Sequence, residues 1–174
     1  IKLPDGTQES FMLNEDGSYT SNYSRNTLTK AKDGTYILST QSQIQYGFNF
    51  KGFLNWIENK EGNRLNITYN SNNKPQYITD HVGRNYTLTY DGSNQLKSIT
   101  DPLGRTVNYV YSGNKLTQVI DPAGIITNYR YDANGYLSEI RDGSNHLVEA
   151  ISYITEDGMA KVRQVTDIYG NVKT

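Results

Sequence analysis

The sequence has no cysteine, which removes disulfides and thiolate metal sites and leaves the compartment open. It has one tryptophan, whereas short wall-binding repeats that read sugars through aromatic cages need a Trp-rich cage in each unit. No apolar run approaches the roughly 20 residues that span a bilayer, and the N-terminus lacks the charged and apolar regions of a signal peptide. Acidic and basic residues almost cancel, 18 against 17, with no basic run. That balance provides no electrostatic footprint for nucleic acid or for a membrane surface. Glycines are scattered rather than clustered, so no phosphate-cradling loop is present. Helical 3.6 periodicity is evident nowhere.

What is present is tyrosine, 15 of it, and it is placed periodically. Phe48, Tyr69, Tyr90, Tyr111, Tyr131 and Tyr153 are separated by 21, 21, 21, 20 and 22 residues. All but the last sit seven residues after Gln41, Gly62, Gly83, Gly104 or Gly124. A second column runs Asn59, Asp80, Asp101, Asp121, Asp142 and Asp167, each three residues before Gly62, Gly83, Gly104, Gly124, Asn145 or Gly170. A fixed period of this kind decides the architecture before any single residue does.

Between glycine and aromatic, bulky residues recur at every second position: Leu65, Ile67, Tyr69; Tyr86, Leu88, Tyr90; Val107, Tyr109, Tyr111. Period two is the strand signature, with one buried face and one wetter one. Turn formers follow each aromatic, as in Asp91-Gly92-Ser93-Asn94 and Asp132-Ala133-Asn134-Gly135, and predict a hairpin. The second strand carries Leu96 and Ile99, Leu116 and Val119, Leu137 and Ile140. That three-residue spacing breaks alternation and predicts a bulge or an early strand end.

One unit is thus a β-hairpin of 21 residues, give or take one, and a lone hairpin is marginal in water. Each must pair with the next, which gives an all-β array of tandem antiparallel hairpins in a continuous sheet that strand twist curves and coils. Residues 41–142 hold the regular array and residues 1–40 a looser β-repeat part, with turn-then-strand units at Leu3-Pro4-Asp5-Gly6-Thr7, Asp16-Gly17-Ser18-Tyr19 and Lys32-Asp33-Gly34-Thr35-Tyr36. Residues 143–174 hold a degenerate repeat and the start of another unit, with an insertion near Asp157-Gly158 and a one-residue shift that moves the strand to Leu147, Ile151 and Tyr153. No linker separates the three parts, so one continuous architecture is expected. The first residue is Ile1 and Lys173-Thr174 close the chain four residues after Gly170, so both ends are expected to be cuts within a larger protein, with unpaired sheet edges.

The pattern G-x3-9-Y-x-Y-D-x2-G-x-L is met in full by Gly124 to Leu137, whose core is Tyr129-Arg130-Tyr131-Asp132-Ala133-Asn134-Gly135-Tyr136-Leu137. Tyr109-Val110-Tyr111 keeps the tyrosine pair with Ser112 in place of Asp, Tyr90-Asp91 keeps the dipeptide behind Leu88, and Tyr69-Asn70 is weaker, with Pro75 where Leu is usual. This resembles the YD repeat of Rhs proteins, wall-associated proteins, insecticidal toxin complexes and teneurins. The resemblance implies a spiral of hairpins forming a hollow shell, of which this chain is a segment. It further implies a secreted protein of the cell wall or cell surface, and a scaffold that carries or presents a C-terminal toxin in contact-dependent competition. The expected partners are neighbouring YD repeats of the same polypeptide and a C-terminal toxin domain or cell-wall glycan. The family's self-cleaving end has a DPxGL motif. Asp101-Pro102-Leu103-Gly104 and Asp121-Pro122-Ala123-Gly124 supply its first four positions, but Arg105 and Ile125 follow, so cleavage is not carried over.

No catalytic residue, metal site or cofactor is expected. His81 and His146 are the only histidines and flank repeat-opening turns, without a Ser or acidic partner at a motif spacing. Asp80, Asp101, Asp121, Asp142 and Asp167 recur by period, where short side chains bond neighbouring backbone. Neither Asp91-Gly92-Ser93-Asn94 nor Asp132-Ala133-Asn134-Gly135 provides the further oxygen ligands of a calcium loop. The residues expected to build the repeat are therefore Phe48, Tyr69, Tyr90, Tyr111, Tyr131, Tyr153, Gly62, Gly83, Gly104, Gly124, Gly170 and those aspartates. The alternative to a scaffold is a carbohydrate or cell-wall glycan-binding module using exposed aromatics, with Trp56 as the contact residue.

Overall fold

The computed structural model describes residues 1–2, 6, 8–156 and 158–173. Most of the turn-then-strand unit expected at Leu3-Pro4-Asp5-Gly6-Thr7 lies outside them, as does Asp157. The described residues are all strand, turn and loop, with no helix and so none long and apolar enough to cross a membrane. Two compact units are formed, Ile1–Thr87 and Leu88–Thr174.

In the first unit the strands are β1 (Met12–Leu13), β2 (Tyr19–Thr20), β3 (Thr27–Lys30), β4 (Tyr36–Ser39), β5 (Gln45–Phe48), β6 (Leu54–Glu58), β7 (Arg64–Tyr69) and β8 (Pro75–Thr79), with β9 (Asn85–Tyr90) carrying the division. The second unit continues with β10 (Leu96–Thr100), β11 (Thr106–Ser112), β12 (Lys115–Ile120), β13 (Ile126–Tyr131), β14 (Leu137–Asp142), β15 (Leu147–Glu156), β16 (Met159–Asp167) and β17 (Val172–Lys173). Each strand pairs antiparallel with its neighbour in the chain, β1 through β9 in the first unit and β10 through β17 in the second. Each unit is therefore an up-and-down array of antiparallel hairpins.

Alternation puts the aromatic column on one face, here the tyrosine face. In the first unit Tyr19, Leu28, Leu38, Tyr46, Ile57 and Leu65 are successive cross-strand partners, and Tyr36, Phe48 and Leu54 form the next row. Such same-face neighbours contribute roughly 0.2–1 kcal/mol a pair. Only Leu28 and Leu38 are buried apolar side chains among the described residues, Leu38 completely. Near the N-terminus the Glu9 N–H donates to the Ile1 carbonyl at 2.8 Å. Ile1 and Lys2 border a hollow with Leu28, Tyr36, Phe48 and Gly52. Elsewhere apolar groups are half-buried or, as at Phe50, Leu103 and Ile125, exposed, as expected where a sheet has one solvated face.

One turn closes nearly every hairpin. The first residue donates its N–H to the carbonyl of the fifth and accepts from the N–H of the fourth: Asp101 to Arg105 at 2.9 Å, Gly104 to Asp101 at 3.0 Å. The same pair of bonds recurs from Asn14 to Asp167, in the turns after the column aromatics as well as in those before the repeat. It is the three-residue loop whose last residue takes a left-handed conformation. That residue is glycine or asparagine throughout, except Gln43, whose φ is +61°. The glycine column is thus the closing residue of a turn, and the strand starts after it.

The expected bulge is present. Phe48 pairs with Leu54 and Gly47 with Trp56, leaving Asn55 unpaired. Gln76, Thr117, Ser138 and Arg163 are skipped in the same way beside Tyr69, Tyr111, Tyr131 and Tyr153. One extra residue turns Leu116 and Val119, three apart, toward the face of Tyr111 and Tyr109. The two irregular spacings also have physical sites. The 20-residue interval contains a two-residue turn, Ser112 pairing with Lys115, and the 22-residue interval contains a second bulge at Val148. The insertion near Gly158 lengthens β15 and β16, which pair out to Glu156 and Met159.

Candidate functional site

The column aromatics close strands β5, β7, β9 and β13, stand next to last in β11 and lie within β15. Three of their hydroxyls reach across strands. Tyr69 Oη donates to the Leu54 carbonyl at 2.6 Å, Tyr131 to Leu116 at 2.8 Å and Tyr153 to Leu137 at 2.8 Å. Each acceptor is the cross-strand partner of the preceding aromatic, Phe48, Tyr111 or Tyr131. Each ring is also covered by the side chain one residue before its acceptor. Phe53 lies 5.3 Å from the Tyr69 centroid, the Lys115 ammonium 5.0 Å from that of Tyr131, and Tyr136 5.1 Å from that of Tyr153. Burial pushes the hydroxyls of Tyr90 and Tyr111 above the usual tyrosine range.

In the turns, one carboxylate oxygen takes two backbone donors. Asp80 Oδ1 accepts from Val82 and Arg84, Asp101 from Leu103 and Arg105, Asp121 from Ala123 and Ile125, Asp142 from Ser144 and His146, and Asp167 from Tyr169 and Asn171. Asn49, Asn59 and Asn70 do the same with an amide oxygen. Arg84 and Arg105 add ion pairs to Asp80 and Asp101, at 2.6 and 2.5 Å. Gly62, Gly83, Gly104, Gly124 and Gly170 close these turns at φ between +79° and +84°.

His81 is exposed in the Asp80 turn, and His146, also exposed, has Nδ1 3.1 Å from Asp142 Oδ2. The two belong to different units. Among the described residues no three His, Cys, Asp or Glu side chains gather to hold a metal.

Trp56 lies on the face opposite the tyrosines. Its ring rests on Gly47, where a Cβ would come within 2.0 Å of it. The Arg64 guanidinium lies 4.0 Å from the ring centroid and is held by Glu58 at 2.7 Å. The indole is thus engaged by a glycine backbone and an arginine.

Three groups went unmarked in the sequence. Glu9 is buried and bonded by Ser24 Oγ and, at 2.8 Å, by Asn26 Nδ2. Burial alone would raise its pKa, and these bonds hold it below the carboxylate range. Gly47 carries no turn signal. Phe53, Lys115 and Tyr136 share no residue type, so no column marks their common place over the rings.

The model of the teneurin YD-shell matches residues 36–172. The chain belongs to the teneurin YD-shell family. The YD-shell chain is also similar to the crystal structure of TcdB2-TccC3-Cdc42, with 12% identity and a TM-score of 0.51 over 91% of its length and 10% of that chain. It is similar as well to TcdB2-TccC3-TEV, at 11% identity and a TM-score of 0.48 over 97% of its length and 11% of that chain. The first likeness is one of fold, and the YD-shell chain spans about a tenth of the proteins it resembles. No curated protein matches.

Proposed function

We propose that this chain is a non-catalytic wall segment of a YD-shell in a secreted protein held at the cell surface or cell wall. In this reading the shell carries or presents a C-terminal toxin in contact-dependent competition, and neighbouring YD repeats of the same polypeptide are the immediate partners. The supporting observation is that the recurrent side chains are spent on the sheet itself: tyrosine hydroxyls on backbone carbonyls and turn carboxylates on backbone N–H groups. Turn oxygens engaged in this way from Asn49 to Asp167, and tyrosine hydroxyls at three of the column positions, hold the array in register.

The test is protection in the longer polypeptide. A C-terminal segment should resist protease while the array is intact and become sensitive when Tyr131 and Tyr153 are both replaced by alanine. Equal digestion in both proteins sinks the carrier reading. Turbidity loss of purified cell walls, abolished by His81→Ala or His146→Ala, would overturn the non-catalytic one.

A further inference from the structure

Without cysteine no disulfide ties one hairpin to the next, but two phenol rings meet across neighbouring strands. The centroids of Tyr136 and Tyr153 lie 5.1 Å apart with the ring planes inclined by 34°, within the range of an offset aromatic pair. Register puts them there. β14 pairs with β15 through Glu139 and Ala150, and three residues further in that register Tyr136 stands opposite Tyr153. The same step from Trp56 and Asn66 sets Phe53 opposite Tyr69, and from Gln118 and Asn128 it sets Lys115 opposite Tyr131. Phe53 lies over its tyrosine at 5.3 Å and the same 34°. The repeat thus builds one geometry, and at Tyr136 fills it with a second phenol.

Tyr136 is 41% exposed and so open to an oxidant in solution. Tyr153 is half-buried, and the bond from its hydroxyl to the Leu137 carbonyl at 2.8 Å holds its ring in place. A phenol that gives up one electron and its hydroxyl proton becomes a phenoxyl radical, with spin on the oxygen and on the ring carbons beside it. Two such radicals in contact join Cε to Cε. Each joined carbon then gives up its proton while the neighbouring oxygen regains one, which restores both phenols. The two electrons and two protons lost overall reduce one hydrogen peroxide to two waters. Rings already in contact need no diffusional encounter. Tyr19 and Tyr36 provide the internal comparison: they meet edge to face at 6.2 Å and 72°, further apart and crossed.

We infer that Tyr136 and Tyr153 form an oxidative cross-linking site, at which a haem peroxidase with hydrogen peroxide couples the two rings into dityrosine and staples β14 to β15. The experiment treats the dilute 174-residue chain with a haem peroxidase and hydrogen peroxide, and follows the blue fluorescence of dityrosine and the masses of the digested peptides. Expected are a monomer lighter by two hydrogens and one peptide pair joining Tyr136 to Tyr153. The melting temperature should rise by about 5 °C, because the tie constrains the unfolded chain. Tyr136→Phe should abolish the pair and the rise without loss of fold, since phenylalanine already holds the equivalent place at Phe53. Phe53→Tyr should add a second cross-link, to Tyr69. The site is overturned by no cross-link at Tyr153, by product found only as dimers, or by a cross-link at Tyr153 that survives Tyr136→Phe. Coupling of Tyr19 to Tyr36 ahead of it, or Phe53→Tyr without a second cross-link, overturns it as well. Each of these failures leaves the shell reading standing, since that reading is tested on protection of a C-terminal segment.

Discussion

The Tyr131 hydroxyl donates to the backbone carbonyl of Leu116 at 2.8 Å, and Leu116 is the residue opposite Tyr111 across the preceding hairpin. One aromatic is thereby tied to the strand that pairs with its predecessor. Tyr131→Phe should cost about 1 kcal/mol, the net worth of one hydrogen bond. Tyr111→Ser, which removes a whole ring, should cost about 3 kcal/mol. Chemical denaturation of the two variants against wild type checks both; equal small losses would mean that the rings are not packed.

Gly47 and Trp56 make a sharper test, because the two are directly paired and a methyl at Gly47 would meet the indole at 2.0 Å. Gly47→Ala should destabilise by about 3 kcal/mol, the upper end for overpacking, and shift the fluorescence of the sole tryptophan. Adding Trp56→Val should recover much of the loss, a coupling expected of residues in contact.

At the turns, Gly104→Ala places a Cβ on a backbone with φ +81° and should cost about 1–2 kcal/mol. No neighbouring atom lies within 4 Å of that Cβ, so the loss is conformational. Gly104→Asn should fall between the two, as Asn73, Asn94 and Asn145 occupy the equivalent place. Thermal melts of the three proteins give the order.

Acid should weaken the fold in a predictable window. Asp101 is held below the usual carboxylate range chiefly by the Arg105 side chain, Asp142 by the His146 N–H and Asp167 by the Asn171 side chain. At Asp80 burial pushes the other way, and the Arg84 N–H and guanidinium with the Val82 N–H outweigh it. A depressed folded pKa means that this stability is full above the unfolded value near about 3.9 and is lost as pH falls through the lower folded values. Melting temperature should therefore drop below about pH 4. Replacing Asp80 and Asp101 by Asn should flatten that drop, since Asn59 and Asn70 hold the same turn without a charge. An unchanged slope would remove the turns from the acid transition.

The hairpins, their turns and the bulge were legible in the sequence because each leaves a mark in every unit: Tyr at one strand end, Asp or Asn three residues before Gly, and an apolar pair three apart. Register across strands leaves no such mark. That Trp56 lands on Gly47 depends on skipping Asn55, and a shift of one residue would have turned it to the other face. Glu9 finds Ser24 and Asn26 at sequence separations of 15 and 17, a contact made once and so invisible to periodicity. Gln43 was missed because the spacing from Phe48 set Gln41 in the glycine column, whereas the turn closes two residues later, on Gln43.

The acceptors of the tyrosine hydroxyls are main-chain carbonyls of Leu54, Leu116 and Leu137, and a carbonyl is supplied by any amino acid. The tie asks for tyrosine on one side and for nothing in particular on the other. A unit copied by recombination would bring its own donor and find an acceptor in whatever neighbour it joined, so the array can gain, lose or exchange whole repeats while its sequences drift far apart.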